Sequence, residues 1–200
     1  MKVILVRPAY DDVTGIMSTW AEGAKIGIDL ENDLKGPSAN EAELRRALRE
    51  HPDARLVAFY GHGQFDSLLT KGSDGAECPL IHASPPGIVP EELNGRNLYA
   101  VACNSGAELG PLLATGSCSF VGYDGEFAFS PAFEKEFGTV VNGGLRSWAI
   151  EEKTSVVIGE ELREAWFALS DTLSSGAVRR KDLWLAALAA FLNGRRVRAY

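Results

Sequence analysis

Cysteine is scarce in this sequence: Cys78, Cys103 and Cys118 stand at irregular spacing, with no Cys-x-x-Cys pair. An odd, scattered set argues against a disulfide framework and against a thiolate zinc site. Long apolar runs are missing too. Residues 3–6 are too few for a signal-peptide core, and the longest run, 183–192, is half a membrane span, so the chain is expected to be cytoplasmic with no membrane partner. Basic residues are outnumbered, 20 against 27 acidic, and a net charge of −7 leaves no electrostatic footprint for nucleic acid. Arg195, Arg196 and Arg198 read as a solvated tail. The first strand-to-helix turn lacks a glycine-rich phosphate cradle, which counts against a flavodoxin-like small-ligand binder. With no repeat, low-complexity tract or linker, the 200 residues, 46% hydrophobic, predict one domain over 1–200 with one substantial core.

What the sequence does have is two apolar runs that end in reactive side chains beside glycine. They are Leu56-Val-Ala-Phe-Tyr-Gly-His-Gly63 and Leu98-Tyr-Ala-Val-Ala-Cys-Asn-Ser-Gly106. Both have strand length without polar alternation, the pattern of a parallel strand covered on both faces, which puts His62 and Cys103 at strand carboxyl ends. In an open α/β sheet that edge is where ligands bind. Residues 3–6 predict the first buried strand, with Tyr10, Asp11 and Asp12 in the loop at its carboxyl end. Residues 13–37 carry no single period: Ile26, Ile28 and Leu30 alternate like a short strand, while Met17 and Trp20 mark an apolar cluster. Ser38-x-x-Glu41 has capping-box spacing ahead of a helix over 41–50, which leads into the strand at 56–60. Strand, helix, strand in that order makes a right-handed crossover and hence a parallel pair.

Residues 64–97 form a long connection, with a short strand at 78–82 and one helical turn at 90–93. Another buried strand is expected at 119–123, followed by Asp124-Gly-Glu126. Ile158, Leu162, Ala165, Trp166 and Leu169 make one apolar helical face, and a second, nearly all-apolar helix over 181–193 stops at Gly194. The fold class is therefore α/β, a mainly parallel sheet with helices on both faces.

A thiol attacks a carbonyl as the thiolate, and the leaving amine needs a proton. One histidine can serve both needs. Cys103 is thus the candidate nucleophile and His62 its general acid and base. Gly63 lets a bare amide approach, and with the Cys103 amide it would bind the oxyanion of the tetrahedral intermediate. A helix starting after Asn104-Ser-Gly106 would aim its dipole at the sulfur. Taken singly, His62 could be a satisfied strand-end histidine and Cys103 a small buried apolar residue; the two together favour catalysis.

The Tyr-Gly-His-Gly and Ala-Cys-Asn-Ser-Gly pair, 41 positions apart, resembles the catalytic pair of caspase-haemoglobinase fold cysteine peptidases, and most of all the bacterial CHAT peptidases. The similarity spans about residues 54–130. It implies a caspase-like fold, hydrolysis of a protein or peptide substrate, an oxyanion hole using Gly63, and no cofactor or metal. It also implies a possible activating partner and a setting in bacterial defence or cell death. Caspases and metacaspases carry a polar recognition residue two positions before the nucleophile, where this chain has Val101. Asp124, Glu126 and Asp11 are therefore the candidate substrate-binding carboxylates, suited to a Lys or Arg side chain, in likeness to separase. The alternative is a catalytically silent caspase-like interaction domain.

Overall fold

The uninterrupted apolar runs do become the centre of a sheet. The computed structural model describes residues 1–93, 95–176 and 180–200. Its first half runs β1 (Lys2–Arg7), α1 (Asp12–Ala24), β2 (Asp29–Lys35), α2 (Glu41–Glu50), β3 (Leu56–Tyr60), β4 (Ser67–Lys71) and β5 (Glu77–His82). There follow β6 (Asn97–Val101), α3 (Leu109–Thr115), β7 (Phe120–Tyr123), α4 (Glu134–Glu151), α5 (Ser155–Ser175), α6 (Lys181–Arg196) and β8 (Val197–Ala199). Six strands form one sheet in the order β2-β1-β3-β6-β7-β8, and β4 with β5 makes a separate antiparallel hairpin. All neighbours in the large sheet are parallel except β7 and β8. The protein is thus α/β, with a mixed, mostly parallel sheet flanked by helices.

Strand side chains alternate between two faces, and here both faces are buried. Val3, Leu5, Leu56, Ala58, Tyr60, Tyr99, Val101, Val121 and Tyr123 pack against α1, α4, α5 and α6. Ile4, Val6, Val57, Phe59, Leu98, Ala100 and Phe120 pack against α2, α3 and the hairpin. No described helix is long and apolar enough to cross a membrane.

Local signals explain where elements begin. Asp11 caps α1: its carboxylate accepts the Thr14 N–H at 2.8 Å, and the Thr14 hydroxyl oxygen accepts the Asp11 N–H at 3.1 Å. The cap of α2 is Asn40, whose Oδ1 accepts the Glu43 N–H at 3.0 Å; Ser38, expected to cap it, instead closes the short 3-10 turn Gly36–Ser38 on Lys35. Arg7 ends β1 almost wholly buried, donating to Asp33 of β2 at 2.7 Å and to the Ser18 carbonyl of α1 at 3.0 Å. The basic C-terminal residues are no solvated tail. Arg195 and Arg196 end α6, and Arg198 lies in β8, which pairs with β7.

Candidate functional site

Parallel pairing of β3 with β6 puts Tyr60 opposite Val101, and the Gly61 N–H extends the ladder by bonding the Val101 carbonyl at 3.2 Å. His62 and Cys103 each lie two residues past that pair. They leave the sheet at equivalent positions of adjacent strands, about 5 Å apart at the backbone. The close fit requires Gly63. A Cβ on it would lie 2.6 Å from the Cys103 carbonyl oxygen and 2.9 Å from Ala102 Cβ, atoms held by the main chain. Gly63→Ala should therefore destabilise the protein by about 1–3 kcal/mol through forced separation of the two strand ends. Urea unfolding would show it, and unchanged stability would mean that the ends separate freely.

The amides of Gly63 and Cys103 donate to no protein acceptor among the described residues. Cys103 turns its sulfur towards the loop after β7, where it accepts the Phe127 N–H at 3.2 Å. Asn104 follows in the left-handed region at φ 55°, a conformation asparagine tolerates better than most residues. The chain then makes a series of turns, and α3 starts only at Leu109. The expected helix dipole thus does not bear directly on the sulfur; the Phe127 amide does.

His62 is held from its other side. Its Nε2 lies 2.8 Å from Asp11 Oδ2, and the Tyr10 ring sits 5.8 Å from the imidazole, tilted by 50°. Burial pushes the Asp11 carboxyl up, but bonds from the Thr14 amide, the Thr14 hydroxyl and His62 outweigh it and hold the group below the usual carboxylate range. An ionised Asp11 accepts the proton on Nε2 and leaves Nδ1 as the free ring nitrogen. His62 and Cys103 share no hydrogen bond; the ring faces Asp11 and the sulfur faces Phe127. Along the sheet edge the order is Cys103 after β6, His62 after β3 and Asp11 after β1. Asp11 was expected to receive a substrate side chain, whereas its carboxylate is engaged by His62 and Thr14.

The other two expected substrate carboxylates differ from each other in their partners. Asp124 forms an ion pair with Arg198 at 2.5 Å, whereas Arg196 donates to the Glu126 backbone carbonyl and the exposed Glu126 carboxylate has no partner among the described residues. Two further carboxylates border a recess of about 470 Å³ lined by Gln64, Phe65, Asp66, Asn104 and Glu108. Gln64 and Asn104 directly follow Gly63 and Cys103 in sequence. Asp66 lies 3.3 Å from His82 Nε2, and Glu108 has no cationic partner among the described residues. Nothing local in the sequence marks either residue, since the recess forms only when the two loops meet.

A larger cavity, about 610 Å³, opens beyond Tyr10 towards the first turn of α2 and the β4–β5 hairpin. The Lys71 ammonium stands 5.1 Å from the Tyr10 ring centroid there. Asp11, His62 and Glu77 each offer one ligand atom within 4.8 Å of the others, so they could gather round a cation. At present these groups are spent on one another and on Tyr10, whose hydroxyl donates to Glu77 at 2.9 Å. No protein-family model matches this chain, and no curated protein sequence matches it.

Proposed function

We propose that this protein is a caspase-like cysteine endopeptidase that hydrolyses a peptide bond in a partner protein. The observation that carries the reading is the row of Cys103, His62 and Asp11 at the carboxyl ends of three adjacent parallel strands. Cys103 attacks the scissile carbonyl carbon after its thiol proton passes to His62 Nδ1. The amides of Gly63 and Cys103, free of protein acceptors, receive the oxyanion. The imidazolium then protonates the leaving amine, and water hydrolyses the thioester with His62 as base. Asp11 keeps the ring in one tautomer and balances the imidazolium, the part an aspartate takes in serine peptidase triads. For this to proceed the His62 ring must swing its Nδ1 to the sulfur, a bond that is long or absent in many resting sites.

Substrate recognition rests with carboxylates that no Lys or Arg engages among the described residues, Glu108 and the His82-bonded Asp66 in the recess and Glu126 on the loop, and these suit a Lys or Arg next to the cleaved bond. By its resemblance to CHAT peptidases, the protein would act in the cytoplasm within a bacterial defence or cell-death module, under the control of an activating partner.

A second reading has one observation in its favour. The sulfur bonds the Phe127 amide and the imidazole bonds Asp11, with no hydrogen bond between the two, as would hold in a caspase-like interaction domain that has lost turnover. Iodoacetamide near neutral pH separates the two. An activated Cys103 is alkylated well ahead of half-buried Cys78 and buried Cys118, and burial pushes both of those thiols up. Labelling in proportion to exposure alone would favour the silent domain. A peptide library completes the test: cleavage beside Lys or Arg is expected, and dominant cleavage beside Asp or an apolar residue would remove the basic preference while leaving the peptidase reading intact.

A further inference from the structure

We propose that Asn193 is a positioning residue that sets the reactivity of Cys103 by fixing the Phe127 amide against its sulfur. The inference rests on the reading of Cys103 as nucleophile, but the measurements that test it need no substrate.

Asn193 lies near the end of α6, a helix with an apolar interior, and is 0% exposed. A carboxamide in such a place is costly unless both of its ends are bonded. Both are, and to the same residue: Nδ2 donates to the Ala128 carbonyl at 2.7 Å, and Oδ1 accepts the Ala128 N–H at 3.0 Å. One side chain thereby holds both backbone groups of the residue next to Phe127. On the other flank the Phe127 ring is wedged into the core, 4.8 Å from the Tyr123 ring and 5.8 Å from Trp166. Held from both sides, the Phe127 N–H points at the Cys103 sulfur, 3.2 Å away.

A fixed N–H donor stabilises negative charge on the acceptor more than it stabilises the neutral thiol, because charge-assisted hydrogen bonds are roughly twice as strong as neutral ones. It also needs no reorganisation when the thiolate forms. This supplies the electrostatic help that the start of α3, six residues after the cysteine, does not give directly. The other ionisable groups of this region are His62 at the end of the neighbouring strand, Asp11 bonded to its imidazole, and Asp124 and Glu126 on the loop after β7 with Arg198 and Arg196 bonded to them. Asn193→Leu is close in shape and changes none of these charges.

The test is the pH profile of iodoacetamide alkylation at Cys103, followed by mass spectrometry from about pH 5 to pH 9. In Asn193→Leu the rate near neutral pH should fall about tenfold and the midpoint of the profile should move to higher pH, with the plateau at high pH unchanged, as expected when one hydrogen bond to a charged group is lost. A folded variant with the wild-type profile would overturn the proposal. Should that variant fail to fold, wild-type protein still decides: the Phe127 amide resonance should shift with pH at the same midpoint as the alkylation rate. That shift should vanish in Cys103→Ala, and an amide insensitive to sulfur titration would end the proposal. Failure of the peptidase reading shows up differently, as no cleavage of any substrate with the alkylation shift intact.

Discussion

Cys103→Ala and His62→Ala are each expected to lower the turnover of any cleaved substrate by at least about 10³-fold, and the double substitution to lower it little further. The non-additivity is the sharper half of the expectation. A nucleophile and its base work as one unit, so losing either removes the whole covalent route and leaves only what the oxyanion donors and substrate binding supply. Both side chains lie at the ends of strands whose buried residues, such as Phe59, Tyr60 and Val101, are untouched by the changes, so fold loss is a poor competitor as an explanation. Cys103→Ala removes one sulfur that meets the Phe127 amide, and His62→Ala removes a ring that is partly in solvent. The measurement is kcat on the wild type and the three variants, with circular dichroism to show that each is folded. Wild-type turnover in either single variant would end the peptidase reading, and additive losses would mean that the two groups act independently.

The parts of the fold that sequence reading reaches are those where one signal dominates. β1, β3, β6 and β7 are apolar without interruption because helices or the hairpin cover both of their faces, and such runs can be recognised directly. β2 was hidden because an edge strand need not be apolar: Asp29–Lys35 carries five charged or amide side chains, and only Leu34 is buried. α4 was hidden by its glycines, which usually speak against a helix interior. Here Gly138 and Gly144 are packing residues. A Cβ at Gly138 would lie 2.5 Å from the Trp20 ring of α1, and one at Gly144 would lie 2.8 Å from the Tyr99 hydroxyl of β6, so α4 can approach closely only where it has no side chain. α1 was obscured in the same way, although its Asp11-x-x-Thr14 cap was available as a start signal.

The site divides along the same line. His62 and Cys103 announce themselves because each ends an apolar run beside glycine, and adjacency followed once parallel pairing was inferred. Gly63 was singled out for a related but different reason: it frees an amide, and it also lets two backbones touch. The role of Asp11 depends on β1 lying next to β3, a sheet order that no local pattern encodes. Phe127 and Asn193 lie still further from any motif. Their contacts join residues 24 and 65 positions apart in the chain, and the sequence shows only an ordinary loop and an amide in an apolar helix.

Asp11→Asn is expected to reduce kcat by about 10²–10⁴-fold while leaving α1 in place. Asparagine is as good an N-cap as aspartate, so the bond to the Thr14 N–H survives and the fold keeps its anchor. What does not survive is the anion at His62 Nε2, 2.8 Å away. A neutral amide holds the ring less firmly, can turn its own N–H towards the nitrogen and so favour the wrong tautomer, and no longer balances the imidazolium that the proposed mechanism forms as Cys103 attacks. The pH dependence gives the expectation its sign. The Asp11 carboxyl is held below the ordinary range in the folded protein, with burial opposing the shift and the Thr14 and His62 bonds overcoming it. A lowered folded-state value means that the carboxylate contributes stability above its unfolded value, near about 4, and that this contribution is lost as pH falls through the lower folded value. Asp11 is therefore ionised throughout the range in which an imidazole titrates, and its own titration should not change the deficit of the asparagine variant between about pH 5 and pH 8. Acid unfolding should differ in a matching way, with the wild type losing stability below about pH 4 more steeply than the variant, which has no charge there to lose. Kinetics across pH and acid titration by circular dichroism measure both. A variant that keeps wild-type kcat would show that Asp11 does no more than cap its helix, and the row of three would reduce to a dyad of Cys103 and His62.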